Sequence, residues 1–157
     1  MELENYLKLP ISIVLCLSAG ILGSTFTTTT TMWYLNLTKP WFQPPGWLFG
    51  PVWTILYILM GISLYLIWKR GFKETKIKKA VYIFLIQLFL NGLWSFAFFG
   101  FQDLLLSSIN IIVLWILLLM TIWKFYEISK KAGLLLVPYL IWVTFATLLN
   151  LTIFIIN

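Results

Sequence analysis

Charged positions divide the chain into five long uncharged stretches, residues 9–38, 40–68, 80–102, 104–123 and 132–157. A helix that crosses the hydrocarbon core of a bilayer needs about 20 mostly apolar residues, and every stretch is long enough. Apolar positions run on without period-two alternation, as over 111–121, which points to helices and not to barrel strands. The pattern predicts helices at about 9–26, 48–68, 80–99, 104–125 and 134–155, with a long loop over 27–46. The expected fold class is therefore an all-α integral membrane protein, a five transmembrane helix bundle forming one domain over 1–157. Glu2, Glu4 and Lys8 precede the first stretch, and no small-x-small cleavage site follows it, so that helix is expected to be retained.

Composition strengthens this reading. Of 157 residues 61% are hydrophobic and only 10% charged, where a soluble domain carries about 25% charged residues. The net charge of +6 does not indicate nucleic acid, because the basic residues are confined to connections. Six of the eleven (Lys69, Arg70, Lys73, Lys76, Lys78, Lys79) fall in one connection and three (Lys124, Lys130, Lys131) in another. With Lys8 these make ten on one side of five spans, against Lys39 alone on the other. The positive-inside rule then places the N-terminus in the cytoplasm and the C-terminus outside. The high Ile, Lys and Leu content, with no targeting extension read in the sequence, gives a bacterial plasma membrane as the expected location. The chain has no histidine and a single cysteine, Cys16, so no metal site, no disulfide and no required cofactor are expected.

Lipid-facing helix surface needs only aliphatic and Phe side chains, so polar and large aromatic residues at one angular position call for another explanation. At ~100° per residue the third helix carries Gln87, Asn91, Trp94 and Phe98 in one arc, and the fifth carries Tyr139, Trp142, Ala146 and Asn150. The second helix places Trp53, Tyr57, Met60 and Leu64 on one stripe. Inward Trp beside an amide makes a flat apolar wall with a polar hook, and several such walls make a slot for a planar ligand. Asn150 reads equally well as an interhelical hydrogen-bonding residue. The first helix has a small-residue stripe, Ser12, Cys16, Ala19 and Gly23, of the kind that lets helices approach closely. Trp33, Trp41, Trp68 and Trp123 read as interfacial anchors. Asp103 stands at a helix junction, where a cap is the expected role. No acid or base lies mid-span and no nucleophile–base pair is visible, so the sequence contains no conventional catalytic constellation.

The run Lys39-Pro40-Trp41-Phe42-Gln43-Pro44-Pro45-Gly46-Trp47-Leu48-Phe49-Gly50-Pro51-Val52-Trp53-Thr54 resembles the signature of the TspO/MBR family, the translocator proteins or peripheral-type benzodiazepine receptors. The similarity continues through Leu56-Tyr57, Met60-Gly61, Gln87-Leu88, Leu90-Asn91, Trp94-Ser95 and Phe98-Phe99-Gly100. It ends with Pro138-Tyr139-Leu140-Ile141-Trp142, Phe145-Ala146-Thr147 and Leu149-Asn150. The resemblance implies a receptor for porphyrins, including protoporphyrin IX, and for synthetic isoquinoline carboxamide and benzodiazepine-type ligands. The family pocket lies under the first loop between the helices. Joined to the stripes, it gives as candidate ligand-binding residues Tyr34, Pro45, Trp47, Trp53, Tyr57, Gln87, Asn91, Trp94, Phe98, Tyr139, Trp142, Ala146, Leu149 and Asn150. The family also implies a homodimer. Animal members carry a Tyr followed by a basic residue at the end of the fifth helix, and the tail 151–157 has neither, which makes specific cholesterol binding doubtful.

Two alternatives stand beside the receptor. Some bacterial members are associated with light-dependent porphyrin breakdown through tryptophan redox chemistry, for which Trp53 and Trp142 are the candidates here. A transporter of tetrapyrroles or other amphiphiles is the other, although no coupling machinery is visible.

Overall fold

The computed structural model describes residues 2–157, with side chains from Tyr6 onward. The described residues form helices and turns and no strand. The long helices are α1 (Glu2–Phe26), α3 (Phe49–Trp68), α4 (Thr75–Ser95), α5 (Leu104–Ile128) and α7 (Val137–Ile156). Two short ones, α2 (Met32–Asn36) and α6 (Lys130–Leu135), lie in the 27–46 connection and directly before α7. Five segments are long and apolar enough to cross a membrane: Tyr6–Phe26, Gly46–Trp68, Thr75–Gly100, Leu104–Ile128 and Lys130–Ile156. The chain is a five-helix membrane bundle.

The helices outrun the apolar stretches that predicted them. α1 begins before residue 9, α4 before residue 80, and α5 continues past residue 125. Hydropathy marks where a segment leaves hydrocarbon, whereas backbone hydrogen bonding and caps decide where a helix ends. Asp103 shows the second rule: its Oδ1 accepts the Leu106 N–H at 2.9 Å and caps α5, the role expected of it. The fifth helix is split at Leu136. Pro138 follows at the start of α7, and a proline there has no N–H to extend the α6 ladder. The Ser63 hydroxyl donates to the carbonyl of Ala132 at 2.7 Å.

α4 ends in a π-helical turn, Phe96–Gly100, in which the Phe101 N–H reaches Phe96 O at 2.9 Å. The wider turn rotates the residues after Ser95 away from the ~100° phase of a regular α-helix. Phe99, five positions after Trp94, therefore meets its ring, while Phe98 keeps the ordinary four-residue contact.

Packing follows the small residues. α1 lies most extensively against α3 and then against α4. At Gly61 an added Cβ would stand 2.5 Å from Ile13 Cα, so this crossing exists only because α3 has no side chain there. Ser12, Cys16 and Gly23 are buried, and a Cβ on Gly23 would lie 3.5 Å from Gly92 O of α4. The small-residue stripe is thus interhelical contact. The centre is filled by Met60, Ile67, Phe84, Leu118, Phe125 and Tyr139, with Phe84 and Phe125 stacked at 5.4 Å.

Candidate ligand-binding site

Four of the polar and aromatic candidates join in one buried hydrogen-bond chain. The Tyr57 hydroxyl of α3 donates to Asn91 Oδ1 of α4. Asn91 Nδ2 donates to the Tyr139 hydroxyl of α7 at 2.7 Å, and that hydroxyl donates to Gln87 Oε1 at 3.0 Å. Three helices are tied at one level by groups that hydrocarbon cannot satisfy. A second clamp lies nearer the loop. Asn150 Oδ1 accepts the indole N–H of Trp94 at 2.9 Å, and its Nδ2 donates to Ser108 Oγ at 2.7 Å. Asn150 is therefore an interhelical tie, one of the two readings its position allowed. It also holds the Trp94 ring in place.

Above these ties the site is aromatic. Trp53 stacks on Tyr57 at 5.5 Å and meets the edge of Tyr139 at 6.1 Å. Trp94 stacks on Phe98 at 5.2 Å. Trp142 touches Phe145 at 5.6 Å and the edge of Phe49 at 5.7 Å. Ala146 is half-buried beside Phe145, and Leu149 is buried with Phe98 and Ile153. The 27–46 connection closes over this set. Trp33 packs edge-on to Phe98 at 5.5 Å, Phe42 on Phe145 at 6.3 Å, and Tyr34 against Phe99 at 5.5 Å.

The connection is itself braced. Gln43 Nε2 donates to the Tyr34 hydroxyl at 3.2 Å. Lys39 Nζ donates to Tyr34 O at 2.9 Å and lies 4.5 Å from the centre of its ring. Asn157 grips the peptide of Thr38 twice, accepting its N–H at 2.8 Å and donating to its carbonyl at 3.0 Å.

Most candidate residues are thus brought together, but the arrangement differs from an open slot. Loop rings rest directly on the walls, so the aromatic set is closed. Pro45 and Trp47 stand apart: both are exposed, Trp47 to 73%. Trp33, read as an interfacial anchor, instead packs on Phe98, because α2 turns it back toward the bundle. Trp41, 95% exposed, and Trp123, 71% exposed, do sit at the surface. Sequence reading did not single out Phe42, Phe49, Phe99 and Phe145 as site residues. Phe145 follows Trp142 by three positions and so shares its helix face, which was a usable signal. Phe99 owes its place to the π turn, which no α periodicity announces.

Two donors of the candidate residues have no partner among the described residues, Gln87 Nε2 in the polar tie and one in the aromatic set. The Trp142 Nε1 donor is buried without a partner, a state that costs about 1–3 kcal/mol. Among the described residues no group of three His, Cys, Asp or Glu side chains could hold a metal.

A five-span bundle whose central helices join amide–hydroxyl ties to a loop-covered aromatic cluster belongs to the class of intramembrane small-molecule-binding proteins. The comparisons with known proteins name the group. The model of the TspO/MBR family matches residues 12–156. The chain is 48% identical over 155 residues to the tryptophan-rich protein TspO of Chlorobaculum tepidum, covering 98% of each. It is 48% identical over 154 residues to that of Archaeoglobus fulgidus, covering 98% of this chain and 99% of the relative. It is 36% identical to the translocator protein of Bos taurus, over 83% of this chain and 79% of the relative. The chain belongs to the TspO/MBR family, and its role is that of a membrane ligand-binding protein.

Proposed function

We propose that the protein is a membrane receptor for planar tetrapyrroles such as protoporphyrin IX, and that synthetic isoquinoline carboxamide and benzodiazepine-type ligands compete for the same place. The observation that carries this reading is the convergence of Trp53, Trp94 and Trp142 from three helices under one loop, with the indole N–H of Trp142 left unbonded. A flat guest takes the place of the loop rings against the walls, stacking on indole and phenyl faces. A guest acceptor atom relieves the Trp142 donor. Lys39, whose ammonium is held on Tyr34, is the loop cation available to the acidic arms of a porphyrin. Because Asn91 and Asn150 spend their amides on neighbouring side chains, they act here by fixing the walls, whereas Gln87 does so through Oε1 alone and keeps its Nε2 donor unbonded.

Titration with protoporphyrin, followed by quenching of tryptophan fluorescence, tests this. Trp142→Leu should weaken binding about tenfold or more, losing both a stacking face and a donor. Unchanged affinity in a folded Trp142→Leu protein would overturn the proposal.

A second reading, light-dependent breakdown of the bound porphyrin, is favoured by one feature. With dioxygen as the oxidant and the light-excited porphyrin taking an electron from Trp53, the Tyr57 ring stacked at 5.5 Å is the aromatic neighbour that can return one. A discrete product formed in light with this protein and lost in Trp53→Phe would support it, and bleaching equal in both would dismiss it. The ten-to-one distribution of basic residues supports an N-terminus inside and a C-terminus outside, as in a bacterial plasma membrane protein. We further propose a homodimer, on family membership alone.

A further inference from the structure

At the end of the bundle away from the 27–46 connection, α4 begins beside the end of α5. Between them lies a crevice of about 230 Å³ lined by Thr75, Lys76, Lys79, Lys124, Glu127 and Ile128. Three lysines from two helices and one glutamate line it. That carboxylate is held at the α5 side, where Glu127 Oε1 accepts the Trp123 indole N–H at 2.8 Å. Lys76 pairs with Glu74 at 3.0 Å on the exposed rim. Lys79 and Lys124 have no carboxylate partner among the described residues. A general excess of lysine on one side would only orient the chain. Two unpaired lysines from different helices converging on one crevice are a more specific arrangement, suited to a phosphate diester.

The surroundings say which phosphate. The crevice sits where the spans Thr75–Gly100 and Leu104–Ile128 reach the membrane surface. One turn further into the membrane, both helices present exposed apolar rows: Tyr82, Ile86 and Phe89 on α4, and Trp123, Met120 and Ile116 on α5. An amphiphile with an anionic head and long apolar tails matches both halves of this surface, and a free anion matches only one. We propose that the crevice binds the headgroup of an anionic phospholipid through Lys79 and Lys124, with the acyl chains along the exposed rows of α4 and α5. Basic pockets between spanning helices take such headgroups in general. The site is independent of the aromatic cluster and of any porphyrin reading.

The test uses the full chain in mild detergent, with lipid retention read by native mass spectrometry after titration with phosphatidylglycerol or phosphatidylcholine. Each lysine near an anionic surface contributes about fivefold in affinity. Lys79→Gln/Lys124→Gln should therefore lose retained phosphatidylglycerol by about 30-fold. A charge-matched control, Lys69→Gln/Lys73→Gln, should retain it, as should Lys79→Arg/Lys124→Arg. Phosphatidylcholine should bind all variants equally weakly. Equal losses from the two glutamine pairs would reduce the effect to bulk charge and overturn the site. So would unchanged retention in Lys79→Gln/Lys124→Gln. Displacement by inorganic phosphate as effective as by phosphatidylglycerol at the same concentration would overturn the lipid assignment.

Discussion

Asn91 offers the sharpest check on how the bundle is held. Its side chain lies between two tyrosines, accepting from Tyr57 and donating to Tyr139. Replacing it with Ala removes both bonds without adding bulk. Tyr139 keeps its acceptor on Gln87, so one of its two bonds survives. Tyr57 loses its only acceptor, and its hydroxyl is left in a residue 7% exposed. An orphaned buried donor costs about 1–3 kcal/mol, while interhelical hydrogen bonds measured in membranes average about 0.6 kcal/mol with a maximum near 1.7. The membrane reference state lowers the first figure, because the separated helices also find partners. A loss of about 1–2 kcal/mol in unfolding free energy is therefore expected. Denaturation in mixed micelles, followed by circular dichroism, reads it directly. The change in ligand affinity should be smaller than the change in stability, since the amide is engaged within the protein. If Asn91→Ala unfolds like the parent chain while losing most of its ligand affinity, the amide faces the guest and the reasoning fails.

Further outcomes follow from the same geometry. Gly61→Ala puts a methyl 2.5 Å from Ile13 Cα, against backbone that cannot step aside. Overpacking of this kind costs about 1–3 kcal/mol, visible as a lower midpoint in the same denaturation, and a neutral result would mean that α1 and α3 cross less closely. Asn157→Ala removes both bonds to the Thr38 peptide. Amide hydrogen exchange should then quicken across the 27–46 connection while the spans stay protected, and exchange identical to the parent chain would show that the aromatic contacts alone close the loop.

Residue pattern alone located much of this protein. Uncharged stretches of bilayer length required five helices, because a polar backbone in hydrocarbon must satisfy itself. The stripe of Gln87, Asn91, Trp94 and Phe98 was legible because helix geometry is regular, and the Asp103 cap because its short carboxylate at a junction has few other uses. What the sequence could not decide was how the polar groups would be shared. An inward Asn or Gln can hydrogen-bond a guest or a neighbouring helix, and composition is the same in both cases. Only the packed structure joins Tyr57, Asn91, Tyr139 and Gln87 to one another and gives Asn150 to Trp94 and Ser108. The π turn at Phe96–Gly100 and the folding of Trp33 and Phe42 onto the walls were equally hidden. Hydropathy and periodicity are properties of one segment against its solvent. Hydrogen-bond pairing and the closing of a loop depend on which segments meet, and that is settled only when the helices pack.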